Sequence, residues 1–285
     1  MILEHKIDFT VIFTVTNANP NGDPLNGNRP RQNFDGLGEI SDVSIKRKIR
    51  NRLQDGGEKI FVQSADHAED GYKSLKTRVD SVKALKEIMA DKKNADTDKF
   101  AKIACAEWMD TRSFGQVFAF KGISLSVGIR GPVSVQQAVS IDPITITSMQ
   151  ITKSVNSEDT VGRASDTIGM KHFVDFGLYR FNGSINVQLA EKTGFSSEDA
   201  DKIKEALRTL FENDASAARP DGSMTVEKIY WWEHSSKLGQ HSSDKVHRSV
   251  HIERKENITN PHSIDDYIIT VKSFEGLEPE IIEGF

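Results

Sequence analysis

The chain has 285 residues, 37% apolar and 28% charged, with a net charge of −5 at neutral pH. That composition suits one large globular domain or two ordinary ones and excludes a disordered or fibrous chain. The overall charge is acidic, so any nucleic-acid site must be a local patch.

The longest apolar runs, Val11 to Val15 and Ile144 to Ile151, are only strand-length, which argues against a membrane-spanning helix. Charge at Glu4 and Lys6 lies where a secretory signal needs its apolar segment. A single cysteine, Cys105, fits a reducing compartment. The expectation is a cytoplasmic protein.

Ile7 to Thr16 alternates between apolar and polar residues, the pattern of a half-buried β-strand. A long turn-rich loop from Asn17 to Gly38 follows, and loops of that length in compact domains are commonly functional. Ser41 or Asp42 caps a helix running to about Gln54, with Ile45, Ile49 and Leu53 as its apolar stripe. Between Ser41 and Gln54 there are five basic residues and one acidic one, against the negative total.

Residues of about 65 to 110 read as a helical insertion, with helices over Arg78 to Ala90 and Thr97 to Met109. Strand patterning returns at Phe118 to Arg130 and Ile144 to Thr152. It lapses over 153 to 169, which reads as an exposed hairpin or loop, and resumes from Phe173 to Leu189. Ser196 opens a second amphipathic helix with Asp199 as its capping-box partner, and strands follow at Val226 to Trp232 and Tyr267 to Val271. The order fits an α+β domain, a split βαβ on an antiparallel sheet, and the whole of 1–285 is expected to be a single decorated domain.

Among residues able to carry chemistry, Cys105 lies in an Ala-rich helix and reads as a small buried hydrophobe. His234, His241, His247, His251 and His262 fall in one stretch, and His247 and His251 have the spacing of a helical metal pair. Their surroundings look more like strand, so solvent-exposed histidines are expected, with no metal and no cofactor. The aromatic strand Phe173, Phe176, Tyr179, Phe181 admits RNA stacking or core packing, and core packing is favoured. The basic helix, with Ser41, Ser44, Lys46, Arg47 and Arg50, follows a loop that adds Arg29 and Arg31. Such a cluster can grip phosphates whatever the base sequence.

Four blocks of residues, taken in order, resemble a known family. They are Asn19 to Pro24 with Asn28-Arg29-Pro30-Arg31 and Ser41 to Asn51; Asp110 to Gly115; Arg130 to Ser134; and Gly169 to Phe173 with Gly177-Leu178-Tyr179. The chain thus resembles, over residues 1 to about 190, the CRISPR-associated backbone subunits (the "Cas seven" RAMP proteins) of type I Cascade complexes, most closely subtype I-C.

The resemblance implies a modified RNA-recognition, ferredoxin-like palm with a helical insertion and a thumb hairpin at about 150–172. It implies a non-catalytic subunit that polymerises along CRISPR RNA, presents the guide to a target DNA strand, and contacts further copies and other Cascade subunits in antiviral defence. Carried over by position, Arg29, Arg31, Ser41, Ser44, Lys46, Arg47 and Arg50 would line the guide channel, with Arg112 and Gln116. Met149 or Met170 would wedge between bases, and Lys153, Arg163, Lys171 and His172 would meet phosphates.

Two rivals remain. Related type III backbone subunits cut RNA with a loop aspartate, for which the counterpart here is Asp23, making a metal-dependent endoribonuclease. Asp23 lies in Asn-Gly-Asp-Pro, where aspartate commonly serves turn geometry. The other is a protein scaffold without nucleic acid, for which the acidic balance argues.

Overall fold

The computed structural model describes residues 1–91, 95–123, 125–153 and 168–285. The first strand, β1 (Ile7–Ala18), follows the predicted period but is buried on both faces rather than one. Ile7, Phe9, Val11, Phe13 and Val15 enter one core, while Asp8, Thr10 and Ile12, on the other face, are equally inaccessible. The polar residues of this strand read as solvent-facing because their partners are remote in sequence. Thr10 Oγ1 donates to Asn182 Oδ1 (2.8 Å) and Thr14 Oγ1 to Glu227 Oε1 (2.7 Å), and a buried polar side chain is tolerated once bonded.

After β1 come a short hairpin, β2 (Gly22–Asp23) and β3 (Arg29–Pro30), the strand β4 (Leu37–Ile40) and helix α1 (Asp42–Asp55). Ser41 caps α1 by accepting from Ser44 N, and Ile45, Ile49 and Leu53 are buried as the spacing predicts. Four helices follow: α2 (Leu75–Ser81), α3 (Lys83–Ala90), α4 (Thr97–Glu107) and α5 (Met109–Phe114). The helix expected over Arg78 to Ala90 starts earlier, at a Ser74–Thr77 capping box, and breaks at Val82, whose backbone is extended.

The hairpin β5 (Gly115–Ala119) and β6 (Ser126–Arg130) completes a separate core with these helices. Phe61 is its hub, its ring 4.7 Å from Trp108 and 4.9 Å from Phe118. Cys105 is buried, as expected for a small hydrophobe.

The remaining strands are β7 (Val133–Val135), β8 (Ala138–Pro143), β9 (Ile146–Thr152), β10 (Ile168–Ile185), β11 (Met224–Glu233), β12 (Val250–Arg254), β13 (Tyr267–Val271) and β14 (Glu280–Glu283). The helices are α6 (Val187–Thr193), α7 (Ser197–Arg208) and α8 (Ser243–His247). The main sheet runs β14-β11-β1-β10-β8-β4, antiparallel throughout, with β7 and β9 on other stretches of β10. The strand expected to reach Leu189 stops at Ile185 because Asn186 caps α6, accepting from Leu189 N at 2.9 Å.

Helices α1 and α7 cover one face of the sheet, and Ser196 and Asp199 form the predicted capping box. The second face is covered by α8, β12 and β13, whose Val246, Val250 and Tyr267 pack on Ile12, Leu178 and Trp232. Three rings of the aromatic strand are core: Tyr179 and Phe181 are buried under the helices and Phe176 under the C-terminal layer, whereas Phe173 is half-buried.

The same layer buries two histidines expected in solvent. His234 Nδ1 accepts from Gln240 N (3.0 Å), so the ring proton is on Nε2 and points at Asp8 Oδ2 (2.9 Å). Lys6 Nζ lies 2.8 Å from the same oxygen. His247 Nε2 donates to the Gly183 carbonyl (3.0 Å), with Asp8, Lys6 and Arg180 as its charged surroundings. Burial pushes the His247 imidazole below its ordinary value, although Asp8 opposes this. For Asp8, burial alone would raise the carboxyl, but hydrogen bonds from His234 and Lys6 outweigh it and hold it low.

The signs agree. As pH falls through about 6.5, the unfolded chain protonates His247 while the folded chain does not, and stability drops. The Asp8 contribution, full above the ordinary carboxylate range, is lost at still lower pH. Urea unfolding should therefore weaken between pH 7 and 5.5, by at most ~1.4 kcal/mol per pH unit for one proton. His247→Gln, which keeps a donor for Gly183, should flatten that part of the profile; an unchanged slope would exclude His247 as its source.

Candidate nucleic-acid interface

Helix α1 carries its five cations into partners. Lys48 is 4% exposed and pairs with Asp214, its ammonium over the Phe211 ring. Arg50 Nε donates to Asp110 Oδ2 (2.9 Å), with the guanidinium stacked on Phe114. Arg47 Nη1 donates to the Val62 carbonyl (2.6 Å), and burial together with the neighbouring Arg50 lowers its guanidinium. Arg52 meets Thr209 and Asp55. Among the described residues Lys46 pairs only with Asp42, one turn back on the helix (2.9 Å), a half-buried i,i+4 pair of the kind that contributes little.

Arg112 and Gln116 face elsewhere. Arg112 holds Asp199 with two hydrogen bonds (2.7 and 3.0 Å), and Glu58 lies 3.7 Å away. Gln116 Nε2 donates to the Val117 carbonyl. Ser41 is occupied as the α1 cap, its own N–H donating to Asn21 Oδ1 (2.9 Å).

A different group converges where the long loop meets the β9–β10 ribbon. Arg29 Nη1 donates to Ser148 Oγ (2.9 Å), and the same hydroxyl is 2.8 Å from His172 Nδ1. Ser148 and His172 are cross-strand partners in this ribbon, which continues past the sheet through Met149–Lys171, Gln150–Met170, Ile151–Gly169 and Thr152–Ile168. Directly opposed residues share a face and successive residues alternate. Met170 and Ile168 therefore share the face of His172 and Ser148, whereas Met149 and Ile151 share the face of Lys171.

The two methionines point to opposite sides. All four apolar residues are exposed, from 47% for Met149 to 59% for Ile168. Lys153 ends the described part of the ribbon, and Arg163 lies outside the described residues. Beside the cluster Arg31 is 3.6 Å from Asp23 Oδ1. Asp23 itself closes the β2–β3 turn: its Oδ1 accepts from Leu25 N and its carbonyl from Asn26 N and Asn28 N. Ser148, which joins Arg29 to His172, has no signal in the sequence beyond lying opposite His172 in the hairpin.

The family model for CRISPR-associated protein Cas7 matches residues 5–272. The chain belongs to the Cas7 family. A CRISPR-associated protein Cas7 from Haloferax volcanii is 24% identical over 221 residues, 70% of this chain. The match spans 62% of that relative's length. Among solved structures, a chain of a CRISPR RNA-guided surveillance complex, pre-nicking, aligns with a TM-score of 0.49 at 14% identity, covering 80% of this chain and 78% of the other. A chain of a CRISPR RNA-guided surveillance complex aligns at 0.42 and 18% identity, covering 80% and 68%.

In this Cas7-family chain two of the four sequence blocks are one structural knot. Gly115 and Arg130 are paired in the β5–β6 hairpin, and Gly115 has φ 79°, where an added Cβ would overlap the Ile129 carbonyl. Gly131 abuts the Ser113 carbonyl in the same way. Asp110, buried, accepts from Phe61 N (2.7 Å), Val62 N (3.0 Å) and Arg50. The described residues contain no cluster of His, Cys, Asp and Glu able to hold a metal, and no helix among them is long and apolar enough to cross a membrane.

Proposed function

We propose that this chain is a non-catalytic, CRISPR RNA-binding backbone subunit of a type I Cascade complex, of subtype I-C. Copies follow one another along the spacer, present it to a target DNA strand and join other Cascade subunits in the cytoplasm. The observation that carries this is the convergence of Arg29, Ser148 and His172 beside the exposed Met170 and Ile168. Cations and hydrogen-bond donors grip a phosphate chain, and an apolar side chain on the same face can enter a base step.

The strand order β11-β1-β10-β8, crossed on one face by α1 and α7, supports a ferredoxin-like palm. The projecting β9–β10 ribbon supports a thumb over about 150–172, and the helices between α1 and β5 an insertion at about 65–110. Arg29, Arg31, Lys171 and His172 are the proposed phosphate contacts, with Lys153 and Arg163 further along the thumb. Ser44 and Lys46, half-buried in the first turns of α1, are proposed further contacts. Arg47, Arg50 and Arg112 are read as structural residues, each already paired within the fold, and Asp23 as a turn residue.

Expressed with a CRISPR array, the protein should co-purify with RNA and protect it from nuclease at regular intervals. Incubation of the purified protein with RNA and a divalent metal should leave the RNA intact. Cleavage abolished by Asp23→Ala would replace this reading with the nuclease one, and absence of bound oligonucleotide would leave the plain scaffold.

A further inference from the structure

We propose that successive copies are joined by a knob-and-cleft contact, in which the Phe34–Asp35 tip of one copy enters the cleft between α4, α6 and β6 of the next. It rests on the reading that copies line up along RNA. Phe34 is fully exposed, yet its backbone is fixed. Glu39 N donates to the Arg31 carbonyl and Asn33 N to that of Leu37, so residues 31–39 form a small hairpin. Asn33 Oδ1 accepts from Asp35 N (3.0 Å) and Leu37 N (2.9 Å). Gln32 Nε2 donates to the Gly36 and Ile144 carbonyls (3.1 and 3.0 Å), tying the tip to the corner between β8 and β9.

A phenyl ring held in water on a braced turn adds nothing to its own fold. Having little freedom left to lose, it is suited to anchoring a partner.

The cleft has a volume of about 520 Å³. Ala101, Cys105 and Ile129 give it apolar lining, and Lys102, Arg130 and Lys192 bring positive charge. None of these three cations has an ion pair or hydrogen bond among the described residues. Of the two carboxylates on the cleft, Glu191 is paired with Lys237 and Asp98 is not. The cleft is thus apolar with a cationic excess, while the tip pairs an aromatic ring with the Asp35 carboxylate, which has no ion pair among the described residues. Tip and cleft share no residue, so the contact joins unlike surfaces and repeats head to tail instead of closing on a dimer.

Phe34→Ala tests the contact without endangering the fold, since the ring is wholly exposed. It should leave the affinity for an RNA long enough for one copy unchanged, while raising more than tenfold the protein concentration needed to coat a long RNA. Lys102→Glu should do the same, and Asp35→Lys combined with Lys102→Glu should recover part of the loss. Asp35→Cys with Ala101→Cys, which keeps the Phe34 ring, should give a ladder of disulfide-linked multimers under mild oxidation, and neither single variant should; the buried Cys105 thiol, pushed up to about 11, is a poor competitor.

An equal loss on short and long RNA would mean that Phe34 stacks on nucleic acid, and unchanged coating with no ladder would mean that it does nothing; either overturns the contact. If the wild-type chain binds no RNA, the functional reading fails, and the ladder at high protein concentration then decides the contact alone.

Discussion

Asp110→Ala is expected to lower the unfolding free energy by about 3–5 kcal/mol, the cost of leaving a buried charge without its partner. The carboxylate is 1% exposed and accepts from Phe61 N, Val62 N and Arg50 Nε at once. Alanine would strand two backbone donors and a guanidinium that is 13% exposed, and each unsatisfied group adds its desolvation penalty. The damage should be local at first. Phe61 is the hub of the core that α2 to α5 form with β5 and β6, so hydrogen exchange should rise across α2 to α5 before it rises in β1. Asp110→Asn retains an acceptor and should cost less. A loss below about 1 kcal/mol for alanine would mean that the loop from Ile60 to Val62 is held by its apolar packing alone.

The second large effect concerns RNA. Arg29→Ala with Arg31→Ala should weaken binding to single-stranded RNA about a hundredfold regardless of sequence, since hydrogen bonds to charged groups contribute about 1.5 kcal/mol or more each. The salt dependence should become shallower by about 0.7 for each phosphate that is no longer neutralised. Both residues are half-buried on the surface hairpin at β3 and neither belongs to a hydrophobic core, so the unfolding midpoint should move little, which separates binding from folding. The ribbon's register adds a contrast. Met170→Ala, on the face of Arg29 and His172, should disturb the regular pattern of reactive bases under chemical probing, while Met149→Ala, on the opposite face, should not. The reverse result would assign the RNA to the Lys171 face.

How far these features are legible in the sequence follows from where each partner lies. The α1 cap at Ser41, the Ser196–Asp199 capping box and the period of β1 are local patterns, and each is where its residues put it. The strand end at Asn186 is decided by one capping side chain inside an otherwise continuous pattern, and the break at Val82 is an extended residue with no side-chain cap. Sequence and structure differ most on the basic face of α1. Its cations are held by Asp110 and Asp214, 60 and 166 residues away, and no local pattern carries that information. The same holds for His234, which finds Asp8 across 226 residues, and for Arg29, whose link to the ribbon runs through Ser148. Motif positions pick out stretches of chain, but not which side chains remain free there.

The position of β1 bears on how the molecule is made. Its neighbours in the sheet are β10 and β11, so the N-terminal strand finds its second partner only when residues beyond 224 exist. A ribosome adding about 5–20 residues per second therefore leaves Ile7 to Val15 without their second mate for roughly ten seconds or more. Such an apolar, strand-prone segment invites association with other nascent chains. Slow folding governed by long-range pairing, and a need for chaperone cover during synthesis, follow from placing the first strand at the centre.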